Sequence, residues 1–373
     1  MTTQQDHAPV TPARSRIDDL DAKLIALIAE RKRISAGIQR DRIATGGVRT
    51  DTARELEIFR RYRTAFGTAG SALGSTVLEI CRGRLGAERE QATLEQAKES
   101  DTRPLRLGAF TFANCGAVRW GLGERPVETG SPEAMAAALL AGEVDVAPIS
   151  LVEYLRNHDR LLALPDLAIG SDGEVLSCQL FTRGPLEDLD GGRVALGSTS
   201  RTAALLATIL LTEWAGVTAE YRVEPPVLAD MLRGADAAVL IGDAALVETL
   251  HPRPGLRVHD LGTLWRDWTG LPMVFAVWAV RRSTAARRPA DVSAAHATLL
   301  EAARQGVRQL DEVAESLAGS GLFTREEMSR YLATLDHTLG ERHLAGIRHF
   351  AKLAARHGAV PEGADLTFFG GAA

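Results

Sequence analysis

Cysteine, aromatic side chains and long apolar runs are all scarce in this 373-residue chain. Its three cysteines, Cys81, Cys115 and Cys178, offer no disulfide framework and no metal-ligand spacing. Aromatic residues make up 5% of the chain, and the longest apolar run, Ala203–Leu211 interrupted only by Thr208, is far too short to span a bilayer. The first residues lack the basic-then-apolar layout of a secretory signal. We therefore expect a cytoplasmic protein without a membrane segment, a metal or an organic cofactor.

Charge is modest and unevenly distributed. The net charge is −5, but residues 1–90 hold 16 basic and 12 acidic side chains, which leaves −9 on the remainder. This bias is too weak to indicate nucleic-acid binding, which usually needs a dense basic stripe. A mildly basic first segment suits a small anionic ligand instead.

The first part of the chain has the apolar pattern of helices. Residues 1–13 are polar and contain two prolines, which predicts a disordered lead-in. From Arg14, apolar residues recur at three- and four-residue steps until Gly46–Gly47, which predicts one helix of roughly thirty residues. Two further helices fit Asp51–Phe66 and Ser71–Ala87.

We therefore expect residues 14–90 to form an all-α three-helix domain. A helix this long cannot bury its apolar stripe alone within so small a domain, so a homodimer that shares the helix is the simplest arrangement. Residues 91–103 are charged and nearly devoid of large apolar side chains, which is typical of a linker.

From residue 104 onward, strand patterns alternate with helix patterns. This alternation predicts an α/β domain with a mostly parallel sheet over residues 104–373. We expect two lobes, the second over about 183–272, and an entirely helical stretch at Val292–Gly358. The predicted strands are LRLGAF, DVAPIS, RVALGS, AAVLIG and GLPMVFAVWAVRR.

Charged side chains interrupt the apolar pattern of the helical module. Arg14 and Arg31 lie 17 positions apart, so on one helix they share a face but are separated by roughly 25 Å. Both can reach one small ligand only if Arg14 comes from a partner protomer. Because guanidinium groups grip carboxylates bidentately, the pattern predicts a site for a small dianion. The candidate residues are Arg14, Arg31, Arg42, Asp51, Arg54 and Glu55.

Two segments of this module, RSRIDDLDAKLIALIAERKRI and DRIATGGVRTDTARELE, resemble the all-helical class of chorismate mutases over essentially all of residues 14–86. The resemblance implies an intertwined homodimer that rearranges chorismate to prephenate. It also implies that Arg14 reaches into the site of the other protomer.

The resemblance assigns the other charged residues as well. Arg31 and Arg54 would hold the substrate carboxylates, Arg42 would face the ether oxygen, and Asp51 and Glu55 would meet the ring hydroxyl and the enolpyruvyl region. The rearrangement is pericyclic and moves no proton, so confinement and cationic stabilisation of the breaking C–O bond are what it needs.

The third predicted helix departs from much of this family. It ends in CRGRLG (Cys81–Gly86), where many members carry Ser and Gln as a second ether contact. This ending is similar to that of the actinobacterial subclass, whose mutase is weak alone. Members of that subclass are activated by docking on the first enzyme of the shikimate pathway. A docking partner of that kind is therefore expected.

Short polar side chains follow the predicted strands of the second domain. The loop GSTSRT (Gly197–Thr202) follows one strand and opens a helix, where hydroxyl and backbone N–H groups can bind a carboxylate. Asn114 follows the first strand, and Ser177 ends the segment DGEVLS. We expect all of them to face a cleft between the lobes.

With these segments, the chain from Pro104 to about Gly358 resembles the chorismate dehydratases of the futalosine route to menaquinone. That resemblance implies a two-lobed fold of the type II periplasmic-binding-protein class. The family converts chorismate to the enolpyruvyl ether of 3-hydroxybenzoate. The matching segments are FANC, PISLVEYLRN, PDLAIGSDGEVLSC, RVALGSTSRT, AAVLIGDAAL, HDLGTLWRDWTGLP and YLATLDHTLG.

Roles again follow from the resemblance. Asn114 and Ser177 would be the catalytic hydrogen-bonding residues, and Asp243 would lie by the cleft. The carboxylate-binding loop would consist of Ser198, Thr199, Ser200, Arg201 and Thr202.

None of the motif positions offers an obvious general base. His158 and His259 are predicted to be solvated or structural. We hypothesise that the substrate's own enolpyruvyl carboxylate accepts the proton. Ala113 and Arg119 replace the Leu and the aromatic residue usual in the family, which leaves room for an altered substrate.

The sequence thus predicts a chorismate mutase fused to a chorismate dehydratase. Because the two activities would compete for one substrate, alternatives stay open. The second domain could act on prephenate, or the mutase fold could serve only as a dimerising or regulatory docking module. A pure solute-binding protein is disfavoured by the lack of a signal peptide.

Overall fold

A computed structural model describes residues 10–44, 61–62, 64–66, 73, 77, 103–199 and 201–371. The chain divides into two compact units, Met1–Glu99 and Ser100–Ala373. Across the part that the structure describes, no helix is both long and apolar enough to cross a membrane.

One long helix, α1 (Val10–Ala44), dominates what is described of the first unit. It begins before the predicted start at Arg14, and at 35 residues it extends over roughly 50 Å. Residues 61–62, 64–66, 73 and 77, which fall in the predicted second and third helices, are also helical. The predicted docking segment, Cys81–Gly86, lies outside the described residues.

The apolar stripe of α1 remains exposed in the single chain. Its large side chains keep between 50% and 68% of their surface accessible: Ile17, Leu20, Leu24, Ile25, Leu27, Ile34 and Ile38. Such a contiguous apolar face on a helix indicates an interaction surface rather than a solvated one.

The second unit contains two five-stranded sheets. The first has the order β2-β1-β3-β10-β4. Its strands are β1 (Leu107–Phe110), β2 (Val127–Gly130), β3 (Val146–Ser150), β4 (Leu161–Ser171) and β10 (Met273–Arg281). β1, β2 and β3 run parallel, and β10 runs antiparallel to both β3 and β4.

The second sheet has the same layout, in the order β7-β6-β8-β5-β9. Its strands are β5 (Cys178–Thr182), β6 (Arg193–Gly197), β7 (Glu220–Glu224), β8 (Ala237–Ile241) and β9 (Arg257–Asp260). β6, β7 and β8 are parallel, whereas β5 pairs antiparallel with β8 and β9. The predicted mostly parallel sheet is therefore two sheets, and in each of them four strands run in one direction while one strand, β10 or β5, runs in the opposite direction.

The chain crosses between these sheets twice, through residues 172–177 and 261–272. The second lobe accordingly consists of residues 178–260, so it begins and ends earlier in the chain than the expected range of about 183–272. Helices cover the sheets, which is why β3 and β5 are buried along their whole length.

The helices of the second unit connect the strands and then form a C-terminal group. In the lobes they are α2 (Gly116–Leu122), α3 (Pro132–Ala141), α4 (Leu151–Arg156), α5 (Thr202–Ile209), α6 (Leu228–Gly234), α7 (Gly242–Leu250) and α8 (Leu261–Thr269). They are followed by α9 (Arg282–Arg287), α10 (Pro289–Arg308), α11 (Leu310–Ala318), α12 (Arg325–Thr334) and α13 (Glu341–Arg356).

The C-terminal stretch is thus interrupted, whereas the sequence predicted it to be helical throughout. One break follows α12, where Asp336 exchanges two backbone hydrogen bonds of 2.8 Å with Gly170 of β4. Pairing with a strand satisfies the backbone groups that a continuous helix would have used internally.

Two glycines let α2 and α10 touch through their backbones. A Cβ atom on Gly306 would overlap the carbonyl group of Ala117, and one on Gly121 would overlap that of Ala302. The contact is reciprocal, so each helix supplies a glycine against the other's backbone. This close approach fixes α2, the helix that follows Asn114.

We predict that Gly306→Ala destabilises the second unit by roughly 1–3 kcal/mol, because the helices must separate to admit the methyl group. Gly234→Ala is the matched control, since a Cβ at this helical position meets nothing within 4 Å. The control should be neutral or stabilise by up to about 1 kcal/mol. Urea unfolding measures both, and equal effects would contradict the close-contact interpretation.

Candidate functional site

Two residues at the start of α7 bring the predicted catalytic residues together. The Gly242 N–H group donates to the carbonyl oxygen of Ser177 at 2.8 Å. The Asp243 carboxylate accepts a hydrogen bond of 3.1 Å from the backbone N–H of Ala113, the neighbour of Asn114. Asn114 belongs to the first lobe, and Ser177 ends the first of the two crossing segments, residues 172–177. The start of α7 therefore joins both predicted catalytic positions at the junction of the lobes.

Gly242 cannot readily be replaced at this junction. Its φ is +63°, a left-handed conformation that favours glycine. A Cβ atom here would also lie 3.0 Å from the ring of Phe112. The aromatic ring of the first lobe thus packs directly on the backbone of the second.

Ser177 follows a strained turn. Leu176 has a φ of +58°, and the Ser177 N–H group donates to the carbonyl oxygen of Val175 at 2.6 Å. Together these describe a three-residue γ-turn of the rare left-handed kind. A leucine in this conformation costs on the order of 1–3 kcal/mol and persists only where its surroundings enforce it. Strain of this type is concentrated at functional sites.

Asp260 enforces that turn. Its carboxylate accepts hydrogen bonds from the backbone N–H groups of Val175 and Leu176, the latter at 2.7 Å, and from the Gln179 side chain at 2.6 Å. It also caps α8 by accepting from the Thr263 N–H at 2.9 Å. One carboxylate therefore holds both segments that cross between the lobes.

The polar atoms of the predicted catalytic pair differ in how they are satisfied. The Ser177 hydroxyl accepts a hydrogen bond of 3.0 Å from the Tyr331 hydroxyl, and both side chains are buried. Asn114 Oδ1 is buried, and no described group donates to it. Buried polar atoms are rarely left unpaired, so this oxygen is suited to accept from a ligand donor such as a hydroxyl group.

Asp243 and Arg119 create an unusual electrostatic environment beside Asn114. Burial raises the pKa of Asp243, although the Ala113 N–H and the positive charge of Arg119 both act to lower it. The Nε of Arg119 is itself buried, without a hydrogen-bond partner among the described residues. This guanidinium group therefore stands near the site with donors to offer.

The predicted carboxylate-binding loop lies where the two lobes meet. Thr202 begins α5, and its hydroxyl accepts a hydrogen bond of 3.1 Å from the Val152 N–H in the first lobe. Arg201 forms ion pairs across the lobes, at 2.7 Å with Glu153 and 3.6 Å with Glu133. Both residues thus hold the lobes together, and their role toward a carboxylate stays a prediction.

Ser198 and Thr199 precede this helix and are half-buried, and the Ser198 N–H donates to the Glu224 carbonyl at 3.0 Å. Ser200 lies outside the described residues. Among the predicted structural histidines, His259 contacts the hydroxyl of Thr182 at 2.9 Å, and burial lowers its pKa.

The two cysteines of this region are inert. Cys115 and Cys178 adjoin Asn114 and Ser177 and are buried as free thiols. Burial raises the pKa of Cys115 to about 12, and burial raises that of Cys178 as well. Neither can supply a thiolate nucleophile near neutral pH. Within the described ranges, no group of three or more His, Cys, Asp or Glu side chains could hold a metal ion.

The helical module is described only in part. Arg14, Arg31 and Arg42 all lie on α1, which places Arg14 and Arg31 roughly 25 Å apart along its axis. Arg31 is half-buried, and its Nη1 has no described hydrogen-bond partner. Asp51, Arg54 and Glu55 lie outside the described residues, so the composition of this site stays a prediction.

Tyr331 and Asp260 are the contributors that sequence reasoning missed. Both fall within segments that carry the dehydratase resemblance, YLATLDHTLG and HDLGTLWRDWTGLP. Nothing in the local pattern connects Tyr331 with Ser177, because 154 positions separate them.

Comparisons with known proteins agree with this division of the chain. Residues 105–356 match the menaquinone biosynthesis family, and residues 13–82 match the chorismate mutase type II family. A chorismate dehydratase of Thermus thermophilus is 35% identical over 267 residues, which cover 67% of this chain and 95% of that protein. An intracellular chorismate mutase of Mycolicibacterium smegmatis is 42% identical over 73 residues, 20% of this chain and 70% of that protein.

Solved structures support the fold of the second unit. The periplasmic aliphatic sulphonate binding protein of Escherichia coli superposes with a TM-score of 0.54 at 17% identity. The match covers 70% of this chain and 90% of that protein. At this identity the likeness concerns the fold alone, and it confirms the predicted two-lobed binding-protein architecture.

We predict that Asp260→Asn lowers the free energy of unfolding of the second unit by at least about 2 kcal/mol. An amide offers one acceptor oxygen where the carboxylate serves four donor groups, and its NH₂ group would face N–H donors. Asp190→Asn is the control, because this exposed side chain accepts from the Thr218 N–H alone among the described hydrogen bonds. Urea unfolding should show the control within about 1 kcal/mol of the native chain. Similar losses in the two variants would contradict the role of Asp260.

Proposed function

The chain belongs to the menaquinone biosynthesis family through residues 105–356 and to the type II chorismate mutases through residues 13–82, and we propose on this premise that it consumes chorismate at two separate sites. It is a bifunctional enzyme, a chorismate mutase joined to a chorismate dehydratase. The observation that supports the dehydratase assignment is a pair of hydrogen bonds to the start of α7. One comes from the backbone next to Asn114, and the other joins the Ser177 carbonyl, which follows the strained turn.

The dehydratase site would act by orientation and hydrogen bonding. The reaction breaks the C–O bond of the ring hydroxyl and a C–H bond on the neighbouring carbon, which gives water and the aromatic enolpyruvyl ether of 3-hydroxybenzoate. Asn114 Oδ1 can accept from the ring hydroxyl, and the Ser177 hydroxyl can donate to the departing oxygen. Preorganised donors aimed at developing negative charge are a major source of rate enhancement.

One substrate carboxylate would bind at the start of α5. The hydroxyl and backbone groups of the predicted loop, Ser198–Thr202, would stabilise an anion at the positive end of that helix. Arg119 could assist, since its buried Nε has no partner among the described residues and its positive charge acts on Asp243. In this chain Arg119 stands where the family usually has an aromatic residue.

The substrate would supply the proton acceptor itself. The carboxyl group nearest Asn114 in the described site, Asp243, is already engaged by the Ala113 N–H. The enolpyruvyl group of chorismate, which bears the accepting carboxylate, is attached, through the ether oxygen, to the very ring carbon that loses its proton. Holding it there makes the transfer intramolecular, which is favourable by proximity alone.

The mutase site would require a homodimer. The exposed stripe of α1 needs a partner, and a second copy of α1 would bury it. The same arrangement would bring Arg14 of the partner protomer near Arg31, since the two are too far apart along one helix. Arg42, Asp51, Arg54 and Glu55 would complete the site as the sequence resemblance implies.

Location and partners follow from the relatives. The mycobacterial relatives are described as intracellular, which supports a cytoplasmic protein. Docking of Cys81–Gly86 on the first enzyme of the shikimate pathway stays part of the proposal. The alternative of prephenate as the second substrate is disfavoured, because the Thermus relative acts on chorismate by its name.

Purified protein incubated with chorismate alone should form the enolpyruvyl ether, identified by mass detection as a loss of one water. Accompanying prephenate has the mass of chorismate. Phenylpyruvate without the ether would instead mean that the second unit acts on prephenate.

Arg31→Ala should abolish prephenate formation only, and Asn114→Ala should lower ether formation about 100-fold or more without affecting the rearrangement. Loss of both activities in either variant would contradict independent sites.

We predict different outcomes for two replacements of Asp243. Asp243→Ala removes the acceptor for the Ala113 N–H and should lower kcat for ether formation about tenfold. Asp243→Asn keeps an acceptor oxygen, and burial already disfavours the charged carboxylate, so it should retain activity within a few-fold. Steady-state kinetics decide the matter. An Asn variant as inactive as the Ala variant would show that the negative charge itself is required.

A further inference from the structure

Tyr331 makes a hydrogen bond to Ser177 in addition to the packing of its ring. Tyr331 lies on α12, with 1% of its surface exposed, and Ser177 has 4% exposed. Their hydroxyl groups are 3.0 Å apart, and Tyr331 donates to Ser177. The tyrosine ring is packed in a cluster that includes Ala113 and Leu176, the residues directly before Asn114 and Ser177. Tyr331 thus packs against the chain neighbours of both predicted catalytic residues.

This hydrogen bond determines what Ser177 can do with its own proton. A serine hydroxyl has one hydrogen to donate and two lone pairs with which to accept. Because Tyr331 already donates to the oxygen, the hydrogen of Ser177 must point elsewhere. The Cys178 thiol is within hydrogen-bonding reach. Sulfur is a weak hydrogen-bond acceptor, however. When a ligand is bound, the Ser177 hydroxyl would therefore donate to a ligand oxygen instead of to the thiol.

The Tyr331 hydroxyl remains able to donate this hydrogen bond. Burial raises the pKa of Tyr331 well above its ordinary value, so the phenol keeps its proton throughout the working pH range. The backbone of Ser177 is held by the Val175 carbonyl on one side and by the Gly242 N–H on the other. The anchored backbone of Ser177 and the buried ring of Tyr331 together hold the two hydroxyl groups within hydrogen-bonding distance.

We propose that Tyr331 is a positioning residue for the dehydration, acting through Ser177. In the reaction the ring C–O bond breaks with its electron pair on oxygen, while the C–H pair enters the ring and the proton passes to the enolpyruvyl carboxylate. That proton and the departing hydroxide together make the water released. Ser177 donates a hydrogen bond to the departing oxygen, and Tyr331 fixes the angle of that donation. This inference rests on the proposed dehydratase function.

Tyr331→Phe tests the proposal, because it removes the hydroxyl and keeps the ring. We expect kcat for ether formation to fall about tenfold, as for the loss of one orienting hydrogen bond, with KM changed less than twofold. Tyr154→Phe is the matched control. That tyrosine is equally buried, and its hydroxyl donates to the Thr367 carbonyl at 3.0 Å, away from the catalytic pair. The control should lose stability to a similar degree and keep its kcat.

A double-mutant cycle shows whether Tyr331 acts through Ser177. In a Ser177→Ala background, Tyr331→Phe should have no further effect on kcat, because the hydroxyl it positions is gone. Additive losses, or an unchanged kcat in the single variant, would overturn the proposal. Failure of the proposed function is a separate result, since the unsubstituted chain would then form no ether at all.

A measurement that needs no Tyr331 variant makes the same test. The chain has four tyrosines, so ¹³C-tyrosine labelling gives four ring signals, and Phe replacements of the other three assign Tyr331. The Tyr331 Cζ signal should shift when Ser177 is replaced by Ala and when the ether product binds. A signal indifferent to both changes would contradict the hydrogen-bond relay.

Discussion

The carboxylate of Asp260 is the constraint on which the two-lobed unit depends. It accepts hydrogen bonds from the first crossing segment and from Gln179 of β5. It also accepts one from the first turn of α8, which is part of the second crossing segment. A charged acceptor with four lone-pair sites can serve all of these donors at once. The strained turn at Leu176 and both crossing segments are therefore held by one side chain. The geometry of the candidate site therefore depends on the segments that cross between the lobes.

The helical module depends on a different constraint, the length of α1. A 35-residue helix is long relative to the 99-residue unit that contains it, and its apolar stripe lies exposed in the single chain. Burying that stripe gives the module a reason to associate that is independent of catalysis. In the proposed homodimer, where a second copy covers this stripe, stability and assembly of the mutase part would be inseparable.

The sequence predicted the strands that have a clear apolar pattern bounded by turn residues, such as β1, β3 and β8. It missed β4, because Pro165 and Asp166 interrupt the pattern. In the structure Asp166 has a φ of +60°, and the pairing with β10 continues only through register shifts. The strand β9 was missed because its sequence, RVHD, contains a single apolar residue and therefore gives no strand pattern.

The site shows the same division between local and distant information. Asn114, Ser177 and Asp243 could be identified because each lies in a segment that resembles the dehydratase family. Their convergence on one helix start could not, since it arises from strand order. The turn at Leu176 was invisible because leucine gives no signal of a left-handed conformation. Tyr331 was missed for a third reason: its ring looks like any core residue, and only its hydroxyl partner distinguishes it.

The covalent link between the two units has a kinetic consequence. Two enzymes that draw on one pool of chorismate divide it in proportion to their concentrations and their kcat/KM values. When both sites belong to one polypeptide, their concentrations are always equal, so the number of chains made in the cell cancels from the ratio of products. Only a change in the specificity constant of one site can redirect the flow. The fusion therefore converts a branch point governed by gene expression into one governed by the state of the protein.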